Sequence, residues 1–231
     1  MDLIRRIRGM ALYVCLLSLN QTLHAAYDVQ AWFNVTAIGA LSVEQPKMRY
    51  WLEGQERVGD DVSRNFQNIV RPGIGYAISE HTSLWLGYAY IYTEQLGSRL
   101  IVKENRIWQQ MLWRTAYNSM ALTHRLRLEQ RFFQPNTNTA WRLRDMVKVG
   151  LPFYSKAKLS LVSSNEIFFH LNNFNGIENQ GFDQNRYFIG LAYGFNPSST
   201  LEMGYMNQYI RRINTTNLSC DNITMQLSLN F

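Results

Sequence analysis

The sequence lacks long apolar runs beyond residue 25, although 46% of its 231 residues are hydrophobic. A helix that crosses a bilayer needs about 20 consecutive apolar residues, so helical membrane spans are excluded from this part of the chain. Linkers rich in proline, glycine or serine are also missing, and no low-complexity tract interrupts the sequence. The length and this continuity indicate one domain.

The N-terminal segment has the layout of a secretory signal peptide. Three arginines precede an apolar run from Met10 to Leu19, and small residues follow at Ala25 and Ala26. This run is too short to span a membrane, so we predict a cleaved signal peptide over residues 1–25 and a mature domain over residues 26–231. Cleavage removes three arginines and one aspartate, which leaves 20 basic and 16 acidic residues and a net charge of +4.

Cysteine is scarce, with one residue in the predicted signal peptide and one, Cys220, in the mature chain. A single cysteine excludes an internal disulfide and a cysteine metal cluster. No spacing of histidines suggests a tetrahedral metal site, and no cofactor is predicted. The G-x-G of "RPGIGY" lies in an alternating segment with no helix after it, so it does not indicate dinucleotide binding.

Alternation of apolar and polar residues is present almost everywhere in the mature sequence. In "ITMQLSLNF" every second residue from Ile223 to Phe231 is apolar, and in "QNRYFIGLAYGF" the same holds from Tyr187 to Phe195. Successive side chains of a strand point to opposite faces, so each segment has one apolar and one polar face. Such segments, about ten residues long and separated by turns, are typical of transmembrane β-barrels, which satisfy every backbone group in lipid.

The connections between these segments alternate in length. Short ones are expected near residues 79–80, 118–119, 152–155 and 196–199, and longer ones at 58–65, 94–101, 134–138, 172–181 and 213–220. Short periplasmic turns and longer outer loops are the habit of outer-membrane barrels. About eleven strands are recognisable, whereas bacterial single-chain barrels have an even number. We therefore predict a closed antiparallel barrel of twelve strands, with ten as the alternative.

Several blocks of the sequence, in one order, resemble a known bacterial family. They are "RYWLEGQERVGDD", "RPGIGY", "SLWLGYAYI", "ENRIWQQ", "HRLRLEQRF", "SNEIFFHLN", "FDQNRYFIGLAYGF" and "LEMGYMNQYI". Their order resembles the family called domain of unknown function 2490, from about Val29 to Phe231. The resemblance implies an outer-membrane barrel of Gram-negative bacteria, surrounded by lipids and lipopolysaccharide, and implies no activity. Resemblance to other such barrels also implies that Phe231 is the signal recognised by the barrel-assembly machinery.

Charged residues fall on the polar face of their segments, which faces the lumen of a barrel. Lipid excludes them, because a midplane Arg or Lys on the lipid face costs about 2–4 kcal/mol. The predicted lumen-lining residues are Arg49, Arg57, Arg71, Arg106, Arg114, Arg125, Arg127, Arg131, Arg142, Arg144, Arg186, Glu53, Glu104, Glu129 and Glu166.

Two interpretations of this lumen are open. Arginines and glutamates that pair across strands would close a narrow lumen and stabilise a structural or interaction barrel. Because arginines outnumber carboxylates, the lumen is alternatively a small pathway, porin-like and permeable to anions, with a small anionic solute as the ligand.

An enzyme is the least favoured class. Ser164, Glu166 and His170 share one strand face and form the only cluster that suggests a lipid-modifying hydrolase, which would need serine, histidine and an acid brought together. We therefore predict no catalytic residues. Nucleic acid is excluded as a partner by the compartment. Three residues do not fit the barrel pattern. Asp145 falls among outward apolar residues, so a bulge or a wrong phase is expected there, and Asn207 and Gln109 are similar exceptions.

Overall fold

The computed structural model describes residues 26–134, 138–154, 158–174, 179–213 and 215–231, and all regular elements in these ranges are β-strands. The predicted signal peptide, residues 1–25, lies outside the described residues. Within the described ranges, no helix has the length and apolar character needed to cross a membrane. The strands are β1 (Ala26–Ala40), β2 (Met48–Gly59), β3 (Arg64–Ala77), β4 (Thr82–Glu94), β5 (Ile101–Tyr117), β6 (Met120–Phe133), β7 (Thr139–Tyr154), β8 (Leu159–His170), β9 (Gly181–Asn196), β10 (Ser199–Ile210) and β11 (Leu218–Asn230).

These strands form a single closed barrel in which each strand pairs with its neighbours in sequence and β1 pairs with β11. The end that carries connections 78–81, 118–119 and 197–198 is called the turn end. The opposite end, which carries connections 95–100 and 171–180, is called the loop end. Strand β1 begins at the loop end, and β11 finishes at the turn end.

The strand count differs from the prediction. The described residues form eleven strands, so neither twelve nor ten is found there, and the barrel is not entirely antiparallel. With an odd number of strands in up-and-down order, the first and last run in the same direction. Residues Ala26–Ile38 accordingly pair in parallel with Leu218–Asn230, while all other neighbours are antiparallel. Parallel ladders also satisfy the backbone groups, so closure does not require an even number.

Short turns lie at three of the places where the sequence predicts them. One of the two-residue turns joins β5 to β6 through Asn118 and Ser119, whose φ angles are 45° and 65°. Positive φ at both central residues defines the type I′ turn, whose twist matches that of antiparallel strands. The expected alternation of lengths is incomplete, because β2 and β3 extend so far that only residues 60–63 connect them, whereas β1 and β2 are joined by residues 41–47.

The distribution of polarity in the barrel is the reverse of that in a globular protein in water. Large apolar side chains cover its outer face, and Leu52, Val70 and Ile74 are 55%, 62% and 54% exposed. Charged side chains instead occupy the interior, where Arg127 and Glu129 are 0% exposed. This arrangement follows directly from the two-residue period of the sequence, because alternate side chains of each strand point outward and inward.

Asp145 stays on the outer face, so neither a bulge nor a change of phase turns it inward. It sits beside Leu126 of β6, and its Oδ1 lies 2.7 Å from Nε2 of His124. The two side chains are half-buried against each other. A cross-strand partner on the same face, His124, therefore explains how the polar side chain of Asp145 is placed among outward apolar residues.

Candidate functional site

Glu129 of β6 is the centre of an ion-pair network inside the barrel. Its Oε2 accepts hydrogen bonds from Arg142 Nη2 (2.7 Å) and Arg142 Nε (3.1 Å). Its Oε1 accepts one from Arg144 Nη1 (2.8 Å), and Arg106 Nη1 lies 3.8 Å from Oε2. Arginine's planar fork suits such shared carboxylates, and hydrogen bonds between charged groups are the stronger kind.

The network continues from Glu129 toward the loop end. Glu104 accepts from Arg131 Nε (2.7 Å) and from Arg106 Nη2 (2.8 Å), and Arg106 Nε donates to the same carboxylate. Asp183 Oδ2 lies 3.4 Å from Arg142 Nη1, and its Oδ1 lies 3.4 Å from His170 Nε2. All of these side chains are buried. They fill the loop-end half of the lumen with paired charges.

Two further carboxylates, Glu166 and Glu53, also pair with inward-facing arginines. Glu166 Oε1 accepts from Arg125 Nη2 (2.8 Å) and Arg144 Nη2 (2.8 Å), so Arg144 bridges Glu166 and Glu129. Glu53 Oε1 accepts from Arg71 Nη1 at 2.5 Å. Ion pairs thus connect residues of β5 to β9, whereas Glu53 of β2 and Arg71 of β3 form a separate pair.

Five of the predicted arginines have no carboxylate within 4 Å among the described residues: Arg49, Arg57, Arg114, Arg127 and Arg186. Arg127 is fully buried, and its Nε donates to Gln110 Oε1 at 2.9 Å. Its guanidinium carbon lies 4.9 Å from the ring centroid of Trp108 and 5.8 Å from that of Trp51, within range of cation–π attraction. Ion pairing therefore does not neutralise the interior.

A tryptophan cluster fills the lumen beside Arg127. The ring centroids of Trp51 and Trp85 lie 5.4 Å apart, those of Trp51 and Trp108 lie 6.0 Å apart, and both pairs meet edge to face. Glycine makes room for these rings, because a Cβ atom on Gly73 would lie 2.6 Å from the Trp108 side chain. The inward face is thus partly apolar, which the sequence interpretation missed. The signal was available, because Trp51 and Trp85 are each flanked by outward leucine or tyrosine residues.

A cavity of about 670 Å³ occupies the turn-end half of the lumen. Ser119, Pro152 and Asn230 of the turn end are among its lining residues, and Arg71, Arg125 and Glu166 line it at the ion-pair network. The ionisable residues of its wall are seven cations and three carboxylates: Arg57, Arg71, Arg114, Arg125, Arg144, Lys148, Arg186, Glu53, Glu166 and Glu202. Lys148 and Glu202, which the predicted set omitted, are ion-paired at 2.5 Å. The cavity wall carries a positive charge.

The structure places the fifteen predicted lumen residues on inward-facing positions. Ten of them are buried, Arg49, Arg57, Arg125 and Arg186 are half-buried, and Arg114 is exposed near the turn end. The barrel therefore brings their charges together in one interior. Their role, as an anion pathway or as a stabilising network, stays a prediction.

The three residues considered for hydrolysis are not assembled into a catalytic site. Ser164 lines the cavity, Glu166 is held by Arg125 and Arg144, and His170 lies beside Asp183. Six residues along a strand separate Ser164 from His170 by about 20 Å. A serine and its general base must instead lie within hydrogen-bonding distance. In the described part of the chain, no group of three or more His, Cys, Asp and Glu residues is arranged to hold a metal ion.

Two remaining predicted features lie at the barrel's ends. Phe231 is 68% exposed at the turn end, where its amide donates to the carbonyl of Ile38 at 2.8 Å. Its role as an assembly signal stays a prediction. Cys220 is a free cysteine and is buried, 1% exposed, near the start of β11.

The fold and its interior define an all-β closed barrel with charged residues inside and apolar residues outside. The chain belongs to the family described as protein of unknown function (DUF2490), whose model matches residues 29–219. This match confirms the resemblance seen in the sequence, although β11 lies almost wholly beyond the matched range.

Two known proteins are similar to this chain. An uncharacterised protein of Methylorubrum extorquens AM1 is 31% identical over 233 residues, which covers 99% of this chain and 98% of the relative. The solved structure of LpxR from Salmonella typhimurium is 8% identical, with a TM-score of 0.43 over 80% of this chain and 83% of that one. The second similarity is too weak to carry an argument about function.

Proposed function

We propose that this protein is an exported, integral outer-membrane β-barrel whose lumen is closed by an ion-pair network, so that it acts as a structural or interaction barrel. The single observation that supports this proposal best is the inverted polarity of the fold. Proteins in water rarely expose apolar patches larger than a few hundred Å², whereas here apolar residues occupy the outer face of strand after strand. Lipids and lipopolysaccharide are the proposed surroundings of this face.

The interior supports closure. Glu104, Glu129 and the arginines that contact them are at most 7% exposed, and the Arg127 guanidinium of β6 crosses the lumen to lie 5.8 Å from the ring centroid of Trp51 in β2. Conduction requires a continuous water-filled path, whereas these charges contact each other directly. No catalytic step is part of the proposal, because the separation of Ser164 from His170 argues against a hydrolase.

Variants with one added cysteine test both membrane insertion and orientation. Ser98→Cys lies in the exposed loop-end connection 95–100, and Glu80→Cys lies in the exposed turn-end connection 78–81. We expect a membrane-impermeant maleimide to label Ser98→Cys on intact Gram-negative cells, and Glu80→Cys only after the outer membrane is permeabilised. Wild-type protein, with buried Cys220, is the matched background. Equal labelling of both variants on intact cells would contradict the proposal.

The positive charge of the cavity favours a second candidate function, a small anion-permeable channel. Seven cations against three carboxylates would concentrate anions in the turn-end half of the lumen. Recordings in planar bilayers under a salt gradient distinguish the two functions. A closed lumen gives no conductance above the background, whereas an anion channel gives discrete steps with a reversal potential of the anion-selective sign. Cation-selective steps would contradict both.

A further inference from the structure

Arg57 and Arg186 lie against the same aromatic ring in the wall of the cavity. The guanidinium carbon of Arg57 lies 3.7 Å from the ring centroid of Trp32, and that of Arg186 lies 4.9 Å from it. The ring itself is held in place, because Trp32 Nε1 donates to Gln30 Oε1 at 2.8 Å. Strands β1, β2 and β9 thus bring two cations to one aromatic platform.

Among the described residues, neither guanidinium has a carboxylate within 4 Å, because Glu166 and Asp183 pair with other arginines. Arg57 donates to the amide oxygens of Gln67 (2.7 Å) and Gln55 (3.1 Å), and Arg186 donates to that of Gln184 (3.4 Å). Neutral amides fix the direction of a guanidinium without cancelling its charge. Each arginine has five donors, and the Nε of both is buried without an acceptor. This differs from the pairing around Glu129, where each arginine contacts a carboxylate.

Beside the two arginines, the cavity has an apolar wall. Trp32, Val162, Phe188, Ala192 and Met206 form one cluster of buried side chains, and all five line the cavity. Trp32 belongs to both the cluster and the cationic pair, so the two surfaces are continuous. The volume of about 670 Å³ falls within the range of roughly 300–1,000 Å³ that is usual for small-molecule sites.

We infer that the turn-end cavity is a binding site for an organic anion, with a phosphate or carboxylate head on Arg57 and Arg186 and an apolar body against the Trp32 cluster. Arginine forks suit both head groups, which can accept two parallel hydrogen bonds. An anion bound near both guanidiniums would also offset the repulsion between their like charges. Access from the periplasm rests on the proposed orientation of the barrel, whereas binding itself does not.

Calorimetric titration of the folded protein in detergent micelles tests this site with four probes. Phenyl phosphate and benzoate carry the two head groups on an apolar ring, inorganic phosphate lacks the ring, and benzyl alcohol lacks the charge. We expect at least one of the two aromatic anions to bind more tightly than inorganic phosphate, and benzyl alcohol to give no saturable heat. Preference between phenyl phosphate and benzoate identifies the head group.

Matched variants assign the binding to these residues. Arg57→Gln and Arg186→Gln should each weaken binding about tenfold or more, as expected for the loss of a charge-assisted hydrogen bond. Arg212→Gln removes the same charge from an exposed position near the loop end and should leave binding unchanged. Phe188→Ala should weaken phenyl phosphate but not inorganic phosphate. Heat-modifiable migration on gels confirms that each variant is folded.

Two outcomes would overturn the inference. One is an equal loss of affinity in Arg57→Gln, Arg186→Gln and the control Arg212→Gln, since this would indicate a general effect of charge. The other is the absence of saturable binding of both aromatic anions to wild-type protein, which decides the matter even if the variants do not fold. Because these titrations use the isolated barrel, their failure leaves the labelling test of membrane insertion unaffected.

Discussion

Substitution of Glu129 by glutamine tests whether the interior charges hold the barrel together. The change keeps the size of the side chain and removes one negative charge from a fully buried position. Arg142 would lose its only carboxylate contact below 3 Å, and Arg144 would retain Glu166 alone. The third cation, Arg106, would keep Glu104.

The expected cost is large because the arginines stay buried when their partner is gone. Removal of one member of a buried ion pair costs about 3–5 kcal/mol, and Glu129 serves three arginines, so we expect a loss in the upper part of this range. Glu94→Gln is the matched control, because Glu94 pairs with Arg64 at 3.7 Å and both side chains are partly exposed. Partly exposed pairs contribute about 0–1 kcal/mol.

Urea unfolding in micelles, followed by tryptophan fluorescence, measures the free energy of unfolding of Glu129→Gln and of Glu94→Gln. Heat-modifiable migration on gels gives the folded yield of each variant. A lowered midpoint for Glu129→Gln with an unchanged one for Glu94→Gln is the expected result. Equal midpoints for Glu129→Gln and wild type would refute the reasoning, because the network would then contribute nothing to stability. Conductance of the folded fraction of Glu129→Gln also reports whether the same network blocks the lumen.

Two further predictions concern packing. Gly73→Ala should destabilise the barrel by about 1–3 kcal/mol, because its Cβ would press on Trp108. Gly54→Ala should change stability little, since a Cβ there meets nothing within 4 Å. The same urea titration compares the two variants, and equal effects would contradict the packing argument. Cys220 should resist a maleimide in the folded barrel and react after denaturation, as mass spectrometry would show, and rapid labelling of the folded protein would contradict its burial.

Alternation predicted which residues face inward, because a strand's side-chain period of two is set by backbone geometry alone. Arg125, Arg127 and Glu129 alternate with two leucines in one segment, and the structure places all three inside. The pairing partners could not be predicted in this way. Glu129 contacts arginines of both neighbouring strands, and those contacts depend on which residues pair across the strands. The sequence pattern determines which face each residue occupies, but it does not determine this pairing register.

The strand count was harder to predict because it depends on how the barrel closes. The sequence shows about eleven alternating segments, and the prediction of twelve came from the even count usual in bacterial barrels. Parallel pairing of Ala26–Ile38 with Leu218–Asn230 removes the need for another strand. The cavity could not be predicted either, since its wall combines side chains from strands that are far apart in the sequence.

The pair formed by His124 and Asp145 allows a test of the environment of the outer face. Both side chains are partly exposed there, and their contact of 2.7 Å joins β6 to β7. In lipid, each polar group depends on the other for a hydrogen bond, because no water replaces a lost partner. In water, the same pair would be worth about 0–1 kcal/mol.

A double-mutant cycle with His124→Leu and Asp145→Leu separates these cases. In a folded barrel inserted into lipid vesicles, each single change should destabilise by about 1–3 kcal/mol, the cost of leaving one buried polar group without its partner. The double variant should be as stable as wild type or more so, because apolar residues replace a buried polar pair at no net cost. The two changes are therefore expected to be strongly non-additive, with a coupling energy above about 1 kcal/mol. Additive effects within about 0.5 kcal/mol in urea unfolding would mean that water reaches this face, and the proposed membrane insertion would then have to be given up.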